Sequence, residues 1–310
     1  MRLFCYHEAM KYKRIINPLV PKSRTNPTGT NRILSAADKD ISARYKRITD
    51  KVLAWFDSVP WLAFNAEGAY AFPATRMDEL RQVLAEITTS ELVDGQPLTF
   101  WFAEYEDDSA RLGLAQASAN LSAMSATYAA ARPMYAVMAT DAYRNRVAMA
   151  KQRSYTHFTG LSDALQADLA QVIAYGIQSG QNPRALAGVI RDRLGVSESR
   201  ARMYAQSEIP GTLRDVTLAE GDDAAEALGI DIKYLWTSAL IPTTRPWHAS
   251  RHGRLYTSEE IRDFYSRDGN RYNCFCAATS VLIEDGVPQL TQKLKATYVA
   301  EKTQWEQAHG

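Results

Sequence analysis

Hydrophobic residues recur at helical spacing along most of the chain up to Gly229. The clearest example is a stripe with alternating steps of four and three residues, formed by Ala37, Ile41, Tyr45, Ile48, Val52 and Trp55. This spacing places the side chains on one face of a helix that ends near Pro60, and charged residues occupy its other faces. We therefore expect this helix to pack along a single partner through the stripe.

The segment 101–150 predicts long helices with small side chains. Fourteen alanines lie between Ala110 and Ala150, and Pro133 is expected to break or kink the run. Small side chains let helices approach closely, which favours a tight bundle. Shorter helices are predicted beyond it from capping and turn residues, with limits Ser162 to Gly180, Asn182 to Gly195, Ser197 to Pro210 and Thr212 to Leu228.

After Gly229 the hydrophobic residues no longer recur at helical spacing and instead alternate with polar ones. Residues 230–237 (IDIKYLWT) alternate and are rich in β-branched and aromatic side chains, which predicts a strand. Residues 254–257 and 278–285 predict two more strands. The chain is therefore predicted to be α+β and predominantly α, with a helical N-terminal region and arm followed by a small α+β C-terminal domain. The predicted divisions are an arm at 1–30, a helical region at 31–157, the C-terminal domain at 158–288 and a tail at 289–310.

Composition and charge limit the function classes. The 310 residues are 46% hydrophobic and 23% charged, which is near the globular average and argues against wholesale disorder. The net charge of +1 provides no global field toward nucleic acid or membrane. Residues 1–35 are nevertheless locally basic, with Glu8 opposed by Arg2, Lys11, Lys13, Arg14, Lys22, Arg24 and Arg32. Three prolines between residues 15 and 30 predict an extended arm, which is either a solvated terminus or a contact for DNA or an acidic protein surface.

The three cysteines do not form a disulfide framework, and a Cys-x-Cys bridge would be strained. Reduced thiols in a protein made in a cytosol are therefore expected. The first residues lack the apolar core of a signal peptide. We predict no membrane span, because the sequence contains no apolar run of about 18 residues.

The stretch 234–277 concentrates the residues that carry chemistry. It contains two of the five histidines, His248 and His252, and two of the three cysteines, Cys274 and Cys276. Three arrangements are open: a zinc site with two thiolates and two imidazoles, a three-ligand site without His252, or buried reduced thiols beside a packed histidine. The Cys-x-Cys spacing is shorter than the usual zinc knuckle, and cysteines at this spacing can share a metal only on a turn.

Enzymatic alternatives use the same residues. A thiolate nucleophile with an imidazole base would need an orienting group, for which Asp263 and Asp268 are candidates. A metal-dependent hydrolase or nuclease would use His248 with both thiols. The sequence contains no glycine-rich phosphate loop, so nucleotide-dependent chemistry is not expected. Acids such as Glu208 could bind a hard cation, although acids near a helix end are usually solvated.

Four short motifs follow one another in this stretch: Trp236-Thr237, Arg245-Pro246-Trp247-His248, His252-Gly253 and Asn273-Cys274-Phe275-Cys276. Together they resemble the C-terminal signature of the phage Mu F-like minor head proteins, also called the phage head morphogenesis family. Residues 200–208 (RARMYAQSE) resemble the family's arginine-rich helix, so the likeness covers roughly residues 158–280. The chain departs from the family in lacking an aspartate soon after Thr237, and in having Phe275 and Ser207 where arginine and threonine are common.

The resemblance implies a virion protein and not an enzyme. It implies association with the portal protein or the major capsid protein, help in head morphogenesis and in genome packaging or delivery, and a place inside the phage head near the portal after synthesis in the host cytoplasm. Packaged DNA is a further expected partner of the basic arm, and a DNA-binding packaging factor is an alternative function. The segment after Cys276 is too short for the toxin domains of some relatives, which also argues against an enzyme.

Two sets of site residues follow from these arguments. The signature residues are expected to hold the turns of the C-terminal domain together: Trp236, Arg245, His248, Gly253, Asn273, Cys274 and Cys276. The candidate surface for docking onto the portal or capsid is the stripe of Ile41, Tyr45, Ile48, Val52 and Trp55. No catalytic residue and no cofactor are expected. A structural zinc ion on His248, Cys274 and Cys276, with His252 as an optional fourth ligand, stays open.

Overall fold

The computed structural model of the chain describes residues 16–59, 62–63, 70–71 and 76–309. The first half of the predicted arm, residues 1–15, lies outside them. The predicted stripe forms one face of helix α1, Asn31–Ser58. This face packs into the chain's own core against α2 (Met77–Leu92) and α7 (Pro183–Leu228).

The side chains of Ile41, Tyr45, Ile48 and Val52 are buried in this core, and the Tyr45 hydroxyl lies 2.7 Å from Ser197 Oγ of α7. Trp55 is half-buried, and its Nε1 donates to Glu79 of α2 at 3.1 Å. These side chains are therefore occupied within the chain, in contrast to the docking surface predicted from their spacing. The helical spacing predicted for α1 is confirmed, whereas the surface that its apolar face contacts belongs to the same chain and not to another protein.

The alanine-rich region forms α3 (Ala103–Met124), α4 (Ala126–Ala131), α5 (Met134–Met138) and α6 (Asp141–Gln178). The predicted break at Pro133 is confirmed, because α4 ends two residues before it and α5 begins after it. Helix α6 is longer than predicted. Its N-cap is Thr140, whereas Ser162 is buried in its interior and donates to Thr88 Oγ1 at 3.2 Å. The division predicted between residues 157 and 158 thus falls within one continuous helix.

Helix α7 is a single element of 46 residues, although turn residues predicted stops at Gly195 and at Pro210. Asn182 caps it, with its side chain accepting from Arg184 N at 2.9 Å. The stops fail because much of the helix, including Pro210, is buried between α1, α3 and α6, whose packing outweighs local propensity. Its backbone lies so close to α3 that a Cβ added at Gly113 would approach the carbonyl oxygen of Leu213 to 2.5 Å.

Residues 16–30 contain no helix or strand and lie across the body of the chain. Leu19 N donates to Asn120 Oδ1 of α3 at 2.7 Å, and Arg24 pairs with Glu301 at 2.7 Å. Gln116 of α3 also donates to the carbonyl oxygen of Thr28, at 2.9 Å. The described half of the predicted arm is therefore attached to α3 and to the C-terminal helix α10 (Gln292–His309).

The C-terminal strands form one antiparallel sheet in the order β4-β3-β5-β6. Its members are β3 (Asp231–Thr237), β4 (Leu255–Tyr256), β5 (Ala277–Glu284) and β6 (Val287–Pro288), and a separate pair joins β1 (Leu62–Ala63) to β2 (Tyr70–Ala71). Alternation along β3 sends Tyr234 and Trp236 to one face and Leu235 to the other. The predominantly helical α+β class is confirmed.

Both faces of the sheet are covered. Helix α9 (Ser258–Ser266) packs over Trp236, while α10 packs over Leu235 through Tyr298. The Tyr298 hydroxyl lies 2.7 Å from Thr237 Oγ1, and Trp305 Nε1 donates to the carbonyl oxygen of Ile241 at 3.1 Å. The predicted tail is therefore part of the packed structure. Among the described residues, the helices lack the combination of length and apolar composition needed to cross a bilayer.

Candidate metal centre

Three potential ligand atoms converge beneath β3: a ring nitrogen of His248 and the sulfurs of Cys274 and Cys276. They lie within 4.8 Å of one another. Nδ1 of His248 is 3.4 Å from Cys274 Sγ and 3.8 Å from Cys276 Sγ. The three residues are only 2%, 3% and 2% exposed, respectively. Of the arrangements considered from the sequence, the structure brings together the three-ligand set.

Local backbone geometry explains how two cysteines one residue apart face the same histidine. His248 lies on the four-residue helix α8 (Pro246–Ala249), which Pro246 opens. The cysteines precede β5 and are not part of a strand, so the strand alternation that would separate them does not apply. Asn273 has a positive φ of 50°, and its backbone N–H donates to Ser207 Oγ of α7 at 3.1 Å. This turn supplies the geometry that the Cys-x-Cys spacing required.

Asn270 orients the imidazole of His248. Its Oδ1 lies 3.3 Å from His248 Nε2 and accepts from Trp247 Nε1 at 2.8 Å, while its Nδ2 donates to the carbonyl oxygen of Phe264 at 3.0 Å. The amide oxygen is therefore the end that faces the ring, so Nε2 carries the proton and the lone pair of Nδ1 points toward the sulfurs.

Arg214 of α7 places a buried positive charge beside the thiols. Its Nη1 donates to the carbonyl oxygen of Cys276 at 3.3 Å, and its guanidinium lies 3.6 Å from the ring centre of Tyr265. The Tyr265 hydroxyl is in turn 3.3 Å from Cys274 Sγ. Burial lowers the pKa of Arg214, but the neighbouring tyrosine and thiols outweigh burial and raise it above its ordinary value.

The two thiols have opposite pKa shifts. Burial opposes ionisation of Cys274, but the hydrogen bond from Cys276 and the charge of Arg214 hold the pKa of Cys274 well below its usual value. The pKa of Cys276 is raised well above its usual value, because its proton is held in the hydrogen bond to Cys274 and because it is buried.

A cavity of about 30 Å³ adjoins the three side chains and is also lined by Ala239, Ile241, Thr243 and Thr244. This volume suits about one water molecule. The site can therefore offer a small ligand one further position, while a peptide or nucleotide does not fit.

The other signature residues tie the loops around this centre. Trp236 Nε1 donates to Ser238 Oγ at 3.0 Å, and Arg245 Nη1 donates to the carbonyl oxygen of Gly269 at 3.1 Å. Arg245 also bonds the carbonyl oxygens of Asn270 and Tyr272. Gly253 has a φ of 77°, and a Cβ there would lie 2.8 Å from Tyr298 Cβ, so only glycine fits without displacement.

His252 is not part of the cluster. Its Nδ1 accepts from the backbone N–H of Ser238 at 3.1 Å, its Nε2 lies 3.1 Å from Glu301 Oε2, and its ring stacks on Tyr298. Burial lowers the pKa of His252 to about 4, although Glu301 acts in the opposite direction. The four-ligand site is therefore wrong. The predicted orienting acids are also wrong: Asp263 and Asp268 are exposed, and the group that faces His248 Nε2 is Asn270.

Reasoning from the sequence missed the groups that support the cysteine loop. Glu208 of α7, interpreted as solvated, is buried and pairs with Arg153 of α6 and with Arg271 at 3.1 Å, two residues before Asn273. Burial alone would raise the pKa of Glu208, but His157, Arg153 and Arg271 lower it to about 2. The roles of Arg214, Tyr265 and Asn270 carried no signal in the sequence, because their partners are distant in the chain.

Comparison with known proteins relates the region around this centre to one protein family. The search of curated proteins and the search of solved structures returned no match. Residues 167–279 match the family model described as Phage Mu protein F like protein. The matched segment contains α7, β3, α8, β4, α9 and the cysteine loop, and so includes the whole His248–Cys274–Cys276 centre. Residues 167–279 are thus similar to the phage Mu F-like family of phage head morphogenesis proteins.

Proposed function

We propose that this chain is a minor head protein of a tailed bacteriophage that associates with the portal or the inner capsid surface. In this role it assists head morphogenesis and genome packaging or delivery. The observation that carries the proposal is the family match over residues 167–279. It is supported by the signature residues, which lie in the matched segment and link its loops by hydrogen bonds and close packing.

The basic arm is our candidate for contact with the head. Residues 16–30 are attached to the body through Asn17, Leu19 and Arg24. That segment carries Arg2, Lys11, Lys13 and Arg14 against Glu8. Clustered positive charge favours an acidic protein surface or packaged DNA. The hydrophobic stripe of α1 is not a candidate for contact with the head, because it is buried within the chain.

The hydrolase alternative gains little from the geometry. His248, Cys274 and Cys276 are buried, and the adjoining cavity of about 30 Å³ is far smaller than a substrate pocket. The Mu F-like family is a structural one, which favours a non-enzymatic role. The geometry is better suited to holding loops than to turning over a substrate.

Head incorporation tests the proposal. The chain would be co-expressed with the portal, scaffold and major capsid proteins of the phage that encodes it, and its copy number measured in purified heads by quantitative mass spectrometry. We expect a few copies per head for the unaltered chain. Its absence from heads that assemble normally would overturn the proposed function.

The role of the arm has a separate test. Replacing Arg2, Lys11, Lys13 and Arg14 with glutamine is expected to lower incorporation at unchanged thermal stability. The matched control replaces four exposed arginines elsewhere with glutamine: Arg144, Arg184, Arg191 and Arg200. Equal incorporation of both variants would refute the proposed contact of the arm with the head, without contradicting the proposal that the chain is a head protein. Binding of the chain to duplex DNA that weakens steeply with salt would assign the arm to DNA.

A further inference from the structure

We propose that His248, Cys274 and Cys276 bind one Zn²⁺ ion, with His248 coordinating through Nδ1 and a fourth position open to the adjoining cavity. The ion would clamp α8 to the loop that precedes β5. This inference is independent of the role in the phage head, because it rests on the ligand geometry alone.

The distances between the ligand atoms suit zinc. Tetrahedral zinc with Zn–S bonds of about 2.3 Å and a Zn–N bond of about 2.0 Å needs nitrogen–sulfur separations of about 3.6 Å. The two observed separations, 3.4 and 3.8 Å, lie on either side of this value. For both nitrogen–sulfur pairs, coordination would therefore require shifts of only a few tenths of an ångström, within the range of small side-chain rotations.

The donor types select the class of metal. Two thiolates and one imidazole form a soft to borderline set that suits Zn²⁺, whereas Mg²⁺ and Ca²⁺ require oxygen ligands. No carboxylate belongs to the cluster of described residues. The guanidinium of Arg214 favours the anionic form of the thiols, since it lies against the Cys276 carbonyl and the Tyr265 ring.

The surroundings of the ligands are already arranged for coordination. Asn270 holds the proton of His248 on Nε2, which leaves Nδ1 free to bind a metal, as the hydrogen-bonded outer partners of metal-bound histidines usually do. The cavity beside the ligands accommodates about one water molecule. A water ligand at that position would complete four-coordination. The small volume of the cavity leaves no room for a substrate, which favours a structural clamp over a catalytic zinc.

The experiment measures metal content in tag-free, reduced full-length protein. After incubation with excess ZnCl₂ and gel filtration, we expect about one zinc per chain by mass spectrometry of the metal. Loading the metal-free chain with Co²⁺ is expected to give the intense absorption of tetrahedral coordination together with sulfur-to-cobalt charge-transfer bands. A zinc content below about a tenth of an ion per chain would overturn the proposal, and so would a cobalt spectrum without the sulfur bands.

Variants locate the ligands. Cys274→Ser, Cys276→Ser and His248→Gln are each expected to abolish stoichiometric binding. The control is His252→Asn, which alters a buried histidine outside the cluster and should retain one zinc per chain. Asn270→Ala is expected to weaken zinc binding by about 10- to 100-fold. Retention of zinc by both single cysteine variants would overturn the assignment.

A measurement on the unaltered chain covers the case in which ligand variants fail to fold. Zinc should protect Cys274 and Cys276 from alkylation when the modified peptides are quantified by mass spectrometry, with the metal-free chain as the reference. Equal alkylation of the two cysteines with and without zinc would contradict the proposal. Because this readout involves no phage particle, its failure is distinguishable from failure of the proposed head function.

Discussion

The carboxamide oxygen of Asn270 lies 3.3 Å from Nε2 of His248 and thereby decides which ring nitrogen faces the two thiols. The same oxygen accepts from Trp247 Nε1, and the amide nitrogen donates to the carbonyl oxygen of Phe264. One buried amide thus joins α8 to the end of α9. Orientation of the histidine and attachment of the two helices depend on a single side chain.

Asn270→Ala is expected to destabilise the folded chain by about 2–3 kcal/mol, because it leaves buried donors and an acceptor without partners. Urea unfolding followed by circular dichroism measures this free energy. The control is Asn145→Ala on the exposed face of α6, for which little change is expected. A loss at Asn270 no larger than at Asn145 would contradict the role of the amide.

Two buried glutamates that belong to facing helices are expected to respond differently to amidation. The pKa of Glu208 is lowered to about 2 by its cationic partners against the effect of burial, so it is ionised and paired. The pKa of Glu106 is raised, chiefly by burial, which favours its protonated form, and Ser154 donates to it. Glu208→Gln should cost about 3–5 kcal/mol of unfolding free energy at pH 7. Glu106→Gln replaces a neutral acid with a neutral amide and should cost less than about 1 kcal/mol.

The stabilities of the two variants are also expected to depend differently on pH in acid. The folded pKa of Glu208 is below its unfolded value of 4.5, so its stabilisation is present above that pH and is lost as the pH falls toward 2. Glu208→Gln should therefore show a shallower loss of stability over this window in chemical denaturation at several pH values. Equal effects of the two substitutions at pH 7, or equal slopes in acid, would refute the assigned ionisation states.

The lowered pKa of His252 leads us to expect a second loss of stability in acid, at higher pH than that of Glu208. Burial lowers its folded pKa from 6.5 to about 4, so its contribution is complete above pH 6.5 and is lost as the pH falls from 6.5 toward 4. His252→Asn keeps an oxygen that can accept the Ser238 N–H, and it should flatten the stability profile between these values. Melting temperatures of the variant and of the unaltered chain at pH 7 and pH 5 test this; an equal fall in melting temperature between the two pH values for both proteins would contradict it.

Gly113 marks the closest approach of α3 to α7. A Cβ at this position would lie 2.5 Å from the Leu213 carbonyl oxygen and 3.1 Å from the Leu213 Cα, which are backbone atoms that cannot rotate away. Gly113→Ala should therefore destabilise the chain by about 1–3 kcal/mol, despite the higher helix propensity of alanine.

Gly188 of α7 provides the matched control, because a Cβ there meets no atom within 4 Å. Gly188→Ala should raise stability by up to about 1 kcal/mol. Thermal unfolding of both variants gives the comparison. Similar positive shifts in Tm at both positions would mean that α3 and α7 are not in close contact at Gly113.

Much of the secondary structure was predictable because it depends on local spacing. The stripe of α1, the break at Pro133 and the strand at residues 230–237 follow from periodicity and turn chemistry. The stops predicted at Gly195 and Pro210 failed because packing along the rest of the helix outweighs the local cost of glycine and proline, although Gly195 itself is exposed. Periodicity also identified the buried face of α1 without indicating that the partner lies in the same chain.

The sequence alone determined the donor types of the candidate centre, the family signature around it and the predominantly helical class. The tertiary structure decided which donors meet. It joined His248 to Cys274, 26 residues away, and assigned His252 to Glu301 instead. It also placed Arg214 and Asn270 beside the cluster. The physical reason is that spacing along a chain specifies faces of helices and strands, whereas contacts between distant residues depend on how those faces pack.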